Sequence, residues 1–392
     1  MANDLTFTQS ATILNSLLQQ AQGTTGLTAV NETQFVAQAQ IALKMGYETM
    51  MNALSQVLSR TIFSVRPYNR KLAGLYADRI RYGNHVRKIS PIDGSFEEDD
   101  RVNLVDGQSI DPWKVNKPKA LQMNWYGENI YQVSKTFFKD QIDIAVTGSA
   151  EFGSFVTMVI QNVLDMIEQK HEVTARATIA NMIAAKKAAD GTNVIHLVTE
   201  YKLAKGITDA SFDYSSVENF PDFCRWMFGF IETISDRLTE RSTLYHMNVT
   251  GKAVNRHTPK SDQVMYLYGP LLNQIKTEVK SVTFNPELLE IVDFEKVNFW
   301  QSPQDPMSIN VQANYIDNTG ALVESDTATE VENIMGIIFD REAAGYTVVN
   351  EWSQSTPMNA RGGYTNTFWH FTDRPWLDLT ENCIVLCLDE AE

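Results

Sequence analysis

Between Ser149 and Asp190 the chain runs about 40 residues without a proline and with one early glycine, Gly153. Apolar side chains recur there at Phe152, Phe155, Val159, Val163, Met166, Val173, Ala177 and Ala180. Steps of three and four residues predict one long helix. At about 1.5 Å per residue it would reach roughly 60 Å. A compact globule of this chain length has a diameter near 55 Å. An unbroken helix would therefore span the whole molecule, and a flattened, elongated subunit with broad surfaces to cover is expected: a building block rather than a free monomer.

Upstream, residues 7–22 and 33–60 read as helices separated by Gln22-Gly23-Thr24-Thr25-Gly26, and Asn31 followed by Gln34 gives the second a capping box. Farther on, Leu121, Met123 and Trp125 alternate with polar neighbours, as do Tyr131 and Val133, which is the period of strands with two unlike faces. Residues 79–92 and 117–135 are expected to be two long extended stems. The stretch between them would be the tip of an excursion that needs a surface to lie on.

Past Asp190-Gly191, a helix stop, the pattern mixes types: a short strand over 194–199, an aromatic-rich helix from Phe220 to Leu238 opened by Pro221-Asp222, and a strand at Val264–Tyr268 ended by Gly269-Pro270. A helix through Leu271, Leu272 and Ile275 and a helical turn after Pro286 complete an α+β region. Asp305 to Val331 reads as strand edges and turns on a surface loop. Apolar strands at Met335–Phe339, Tyr346–Val349, Tyr364–Phe371 and Ile384–Leu388 follow and are expected to form one last sheet. His171, beside Glu172, is placed on the solvated side of the long helix, with Glu172 and Arg176 as an i,i+4 pair.

Charge sharpens the picture of the excursion. Arg66 to Lys88 holds seven basic residues against one acid, and Asp93 to Asp111 holds seven acids against one base. An acidic tip (Glu97, Glu98, Asp99, Asp100) that docks on a neighbour's basic stem (Arg79, Arg81, Arg87, Lys88) is the subunit-interface reading, in which rim ion pairs set register more than affinity. A divalent cation on Glu97–Asp100 is disfavoured, because the run lacks the alternating oxygens and glycine of a calcium loop. Tyr68, Tyr76 and Tyr82 among the basic residues would suit single-stranded nucleic acid, but the neighbouring acids oppose it.

Overall the 392 residues are 43% hydrophobic and 21% charged, ample for a core and for two or three regions. A net charge of −15 and a pI near 4.9 oppose a dedicated duplex-DNA binder. Cys224, Cys383 and Cys387 have no metal-ligand spacing and read as small buried hydrophobes in a reducing compartment. Met1 to Ser10 has neither a basic nor an apolar signal segment, and no window suits a membrane span, so a soluble protein without membrane contact is expected.

No phosphate-binding glycine loop, dinucleotide fingerprint, His-Glu-x-x-His or Gly-x-Ser-x-Gly occurs, and the six histidines are scattered. No catalytic residue, metal ligand or cofactor is expected. A cytosolic hydrolase would have to assemble Asp340, Glu342 and His370 from dispersed positions.

The order helical arm, charged two-stranded excursion, long helix, α+β region and returning strands resembles the major capsid proteins of tailed phages with the Hong Kong 97 fold. The most specific stretch is Gly336-Ile337-Ile338-Phe339-Asp340-Arg341-Glu342-Ala343-Ala344-Gly345, followed by Gly362-Gly363-Tyr364-Thr365-Asn366-Thr367-Phe368-Trp369-His370-Phe371. The resemblance implies an α+β fold with a helical N-terminal arm (1–65), an E-loop with its stems (66–140), a P-domain spine helix (141–190), an A-domain (191–330) and C-terminal strands returning to the P-domain (331–392). It implies a homo-oligomer of hexamers and pentamers forming an icosahedral head in the virion, assembled in the host cytoplasm around double-stranded DNA without sequence-specific binding. Separate scaffolding, portal and decoration proteins would be its partners, the arm being too short to include a fused scaffold. Lys114, Lys117 and Lys119 flank the loop without an identifiable asparagine partner, so non-covalent assembly is expected. An encapsulin-like compartment shell shares the fold and is the alternative within it.

Overall fold

The computed structural model describes residues 71–76, 86–92, 99–110, 113, 115, 117, 119–140, 149–189, 193–209, 211–249, 254–278 and 294–389. The expected helices over 7–22 and 33–60 and the helical turn after Pro286 lie outside the described residues.

The long helix exists with the expected ends: α1 (Ser149–Ala189) is unbroken over 41 residues, and Lys186 and Lys187 in its last turn oppose the negative end of its dipole. Its buried face matches the expected one only in part. Val163 and Ala180 are buried as expected, together with Ile167, His171, Ala175, Ile179 and Met182, whereas Met166 and Val173 are 42% and 51% exposed and Ala177 is also exposed. His171, expected in solvent, sits inside, its Nε2 3.8 Å from Asp373 and its ring against Tyr346.

The centre of the molecule is a five-stranded sheet in the order β4-β12-β9-β5-β6. Its strands are β4 (Val194–His196), β5 (Gln263–Tyr268), β6 (Glu295–Val297), β9 (Ile334–Asp340) and β12 (Cys383–Cys387). Every residue of β9 and β12 is buried, which is why these strands read as continuous apolar runs rather than alternations. One face, with Ile337, Phe339 and Val385, meets Met182 and Ile183 of α1. The other, with Ile338, Ile384 and Leu386, meets Phe223, Met227 and Ile231 of α3 (Phe220–Thr239), a helix that begins at its Pro221 as expected. A shorter helix, α2 (Leu197–Lys205), joins that side after β4, where the sequence suggested continued strand. A further helix, α4 (Gly269–Glu278), follows β5. Each large side chain buried here stabilises the fold by about 1.5–3 kcal/mol. At Gly336 a Cβ would lie 2.7 Å from the Tyr266 carbonyl and 2.5 Å from the Leu267 side chain, so only glycine lets β5 approach β9.

The tail strands do not form one sheet. β10 (Ala344–Ser355) and β11 (Tyr364–Leu377) leave β9 and β12 to build a second sheet, β10-β11-β3, with β3 (Asn129–Phe138). β3 is therefore not the far half of a stem. Only β1 (Val86–Ile92) and β2 (Lys119–Trp125) pair as stems, from Val86↔Trp125 to Ile92↔Lys119. The chain turns at residues 126–128, and β3 then pairs antiparallel beside β11 with its Val133 and Phe137 buried. The stretch expected as a surface loop holds an antiparallel hairpin, β7 (Ile309–Ile316) and β8 (Leu322–Val331), that packs on α1. Its turn is set by Asp317, which accepts hydrogen bonds from the Thr319 and Ala321 amides at 2.8 and 2.9 Å.

Candidate subunit-contact surface

The stem pair is fixed at its base by Lys88. Its Nζ lies 2.6 Å from Glu381, 2.9 Å from Asp378 and 3.5 Å from Glu342, and the first two carboxylates are almost fully buried. Burial alone would lower the Lys88 pKa, but the two carboxylates more than offset it and raise it above the ordinary lysine value, so the ammonium stays charged. Trp125 adds a second tie, donating from Nε1 to the Leu377 carbonyl at 2.9 Å. The stem is thereby anchored to the end of β11 and to the turn before β12.

Beyond the stem, Asp99 caps a short 3₁₀ turn (Asp100–Asn103), accepting from the Arg101 amide at 3.0 Å. Arg101 Nε donates to the same carboxylate at 2.9–3.0 Å and holds its pKa below the ordinary value. Large apolar side chains face solvent in this loop beside Asp106, Gln108, Ser109 and Lys117. Val102, Val105, Trp113 and Val115 are 65–84% exposed, and Leu104 and Ile110 are 44% and 41% exposed. So many large apolar groups exposed on one loop make it a candidate contact surface.

At the opposite end of the stem lies an open groove of about 580 Å³ between α1, the turn joining β2 to β3, the β7–β8 hairpin and the end of β11. Trp125, Tyr126, Ala177, Ile316, Leu322 and Trp376 line it, together with asparagines 124, 129, 181 and 314. Tyr126 and Leu322 are 60% and 66% exposed, and the groove lies beside the outward stripe of α1.

The eight residues expected at an interface are distributed unevenly. Arg79, Arg81, Glu97 and Glu98 lie outside the described residues, as does the side chain of Asp100. Arg87 is exposed on β1. Lys88 faces inward to carboxylates of its own chain, and Asp99 is engaged by Arg101 within its own loop. Charge counting missed the apolar residues of the loop, whose signal was present in Val102, Leu104, Val105, Ile110, Trp113 and Val115 scattered among the acids.

The residues a hydrolase would need are not assembled. Asp340 ends β9, where it accepts from the Thr258 hydroxyl and the Glu342 amide, each at 2.8 Å. His370 stacks on Trp352 in the other sheet, with ring centroids 3.9 Å apart. The cleft of about 490 Å³ beside Asp340 and Glu342 does not include His370. Among the described residues no cluster of three or more His, Cys, Asp or Glu suits a metal ion, and no helix is long and apolar enough to cross a membrane.

Chains in solved phage structures share this mixed helix-and-strand fold. The chain is similar to one in the capsid structure of Staphylococcus phage Andhra, with TM-score 0.54 and 11% identity over 84% of this chain and 86% of that one. It is also similar to a chain in the structure of head fiber and inner core protein gp22 of native bacteriophage P68, with TM-score 0.51 and 12% identity over 83% and 86%. No curated protein matches by sequence. Residues 11–387 match the model of the Phi29-like phage major capsid protein family, and the chain belongs to that family. It is a structural protein of the virion that assembles into a capsid, not an enzyme.

Proposed function

We propose that this chain is the repeating subunit of an icosahedral phage head, arranged as hexamers and pentamers around double-stranded DNA. The observation that carries the reading is the pairing, on one chain, of an outward apolar loop with an open apolar groove, both apt for neighbours rather than solvent. In this reading the fold is of the Hong Kong 97 type. Residues 1–65 are the arm, 66–140 the E-loop and its stems, 141–190 the spine region, 191–330 the A-domain and 331–392 the returning strands. The stems at Arg79, Arg81 and Arg87 and the acids Glu97, Glu98 and Asp100 set register between neighbours, while Lys88 and Asp99 hold the loop's own shape.

The acidic balance of −15 suits a wall that does not adhere to packaged phosphate, so the DNA is enclosed without sequence-specific contacts. Scaffolding, portal and decoration functions come from separate proteins, and assembly takes place in the host cytoplasm without covalent cross-links between subunits. Negative-stain microscopy of the full chain co-expressed with its neighbouring head proteins tests this. Closed shells with capsomers are the expected result, and soluble single chains under every such condition would refute it.

A further inference from the structure

We propose that residues 71–76 form a strained latch, caught by Glu295, that gives the subunit a closed and a released state without unfolding either sheet. In a role that rests on the shell reading above, the two states let identical copies settle into fivefold and sixfold surroundings.

The segment's own structure is one 3₁₀ turn (Ala73–Leu75), in which the Leu75 amide donates to the Leu72 carbonyl at 3.2 Å. What holds it comes from three other elements. Glu172 of α1 accepts from the Lys71 amide at 3.3 Å, and Glu295 of β6 accepts from the Leu72 amide at 2.7 Å. Arg176 steadies the first carboxylate at 2.7–3.0 Å and lies over the Phe299 ring, 3.9 Å from its centroid. On the third side Tyr76 bridges to Tyr346 of β10, while Leu72 and Leu75 are buried in the core. Gly345 makes that approach possible, because a Cβ there would lie 2.8 Å from the Leu75 carbonyl. The segment thereby ties α1 to both sheets.

Leu72 is where closure is costly. Its φ of 62° lies in the left-handed region, which a bulky side chain enters against steric resistance. Such outliers persist only where the surroundings over-determine them, and they gather at elements with two arrangements. Here the restraint at the strained residue is its buried side chain and one amide-to-carboxylate hydrogen bond, stronger than a bond to a neutral acceptor. Without that bond the strain is opposed by the leucine contacts alone, and the segment opens locally while the sheets stay formed.

Hydrogen exchange read by mass spectrometry on the unassembled full chain tests the latch. Glu295→Ala should speed exchange of the Leu72–Tyr76 amides by about tenfold or more and Glu295→Gln by less, with β9 and β12 keeping their protection in both. Leu72→Gly and Leu72→Ala read the strain, since both remove the leucine's packing. The glycine variant should exchange more slowly there than the alanine variant, the reverse of the order at an ordinary position. Co-expressed with the head proteins, Glu295→Ala should give particles of mixed diameter where the unmodified chain gives one size. Unchanged exchange in Glu295→Ala, protection lost throughout β9 and β12, a Leu72→Ala chain better protected than Leu72→Gly, or Glu295→Ala particles of one diameter would overturn the latch and leave the shell reading standing. An unmodified chain that forms no particle would overturn the shell reading, and the exchange results would still decide the latch.

Discussion

Replacing Lys88 by methionine keeps most of the unbranched side chain and removes the ammonium that neutralises Asp378 and Glu381. The side chains of these carboxylates are 1% and 9% exposed, and they lie 2.9 and 2.6 Å from the nitrogen, so neither gains water when the charge is lost. Removing one partner of a buried ion pair costs about 3–5 kcal/mol. Arg256, 3.4 Å from Glu381, still offers partial compensation, which places the expected loss near ~3 kcal/mol. At about 2.1 cal/mol/K of unfolding entropy per residue, that loss lowers the melting temperature of the 392-residue chain by roughly 4 °C.

Calorimetry on the unassembled chain reads the shift, and limited proteolysis reads whether the stem loosens first. Lys88→Met combined with Glu381→Gln should cost less than the two single changes added together, because they share one interaction. The raised pKa of Lys88 gives the pH signature. Its contribution is complete below the ordinary lysine value of 10.5 and is lost as the pH climbs through the still higher folded value. A loss below about 1 kcal/mol for Lys88→Met, with no coupling to Glu381, would refute the assignment of Lys88 as the anchor of the stem.

Three further outcomes follow from the core. Gly336→Ala forces a methyl group against the Tyr266 carbonyl and the Leu267 side chain and should cost about 1–3 kcal/mol, seen as a lower denaturation midpoint. Cys387, pushed up to about 12 by burial, should resist alkylation at pH 8 until the chain unfolds, as should buried Cys224 and Cys383; mass spectrometry after iodoacetamide treatment measures this. Burial lowers the pKa of His246 below 6.5, although its hydrogen bonds to Val254 and Asn382 act the other way. The unfolded chain therefore takes up that proton first, so stability should fall as pH drops from about 6.5, and the dependence should shrink in His246→Gln.

The elements written in local periodicity were legible in the sequence. The ends of α1, the Pro221 start of α3 and the buried runs of β5, β9 and β12 all follow from spacing and punctuation within a few residues. What was not legible depends on contacts between distant segments. β4 pairs with β12 and β3 with β11, and no local pattern assigns such strands to one sheet rather than another. The face of α1 was misjudged in part for a related reason. Val173 and Met166 look like core, and His171 looks like surface, until Tyr346 and Asp373 arrive from β10 and β11. At the candidate contact surface, counting charges gave the acidic character of the tip but hid its apolar residues. It also treated Lys88 as available to a neighbour, although two acids almost 300 residues away claim it.

The claim on which the account turns is that this subunit is completed only by copies of itself. Sedimentation velocity with cryo-electron microscopy of the full chain, produced alongside its head proteins, measures that directly. Closed shells of megadalton mass are predicted. A persistent 44.3 kDa species under all assembly conditions would contradict it.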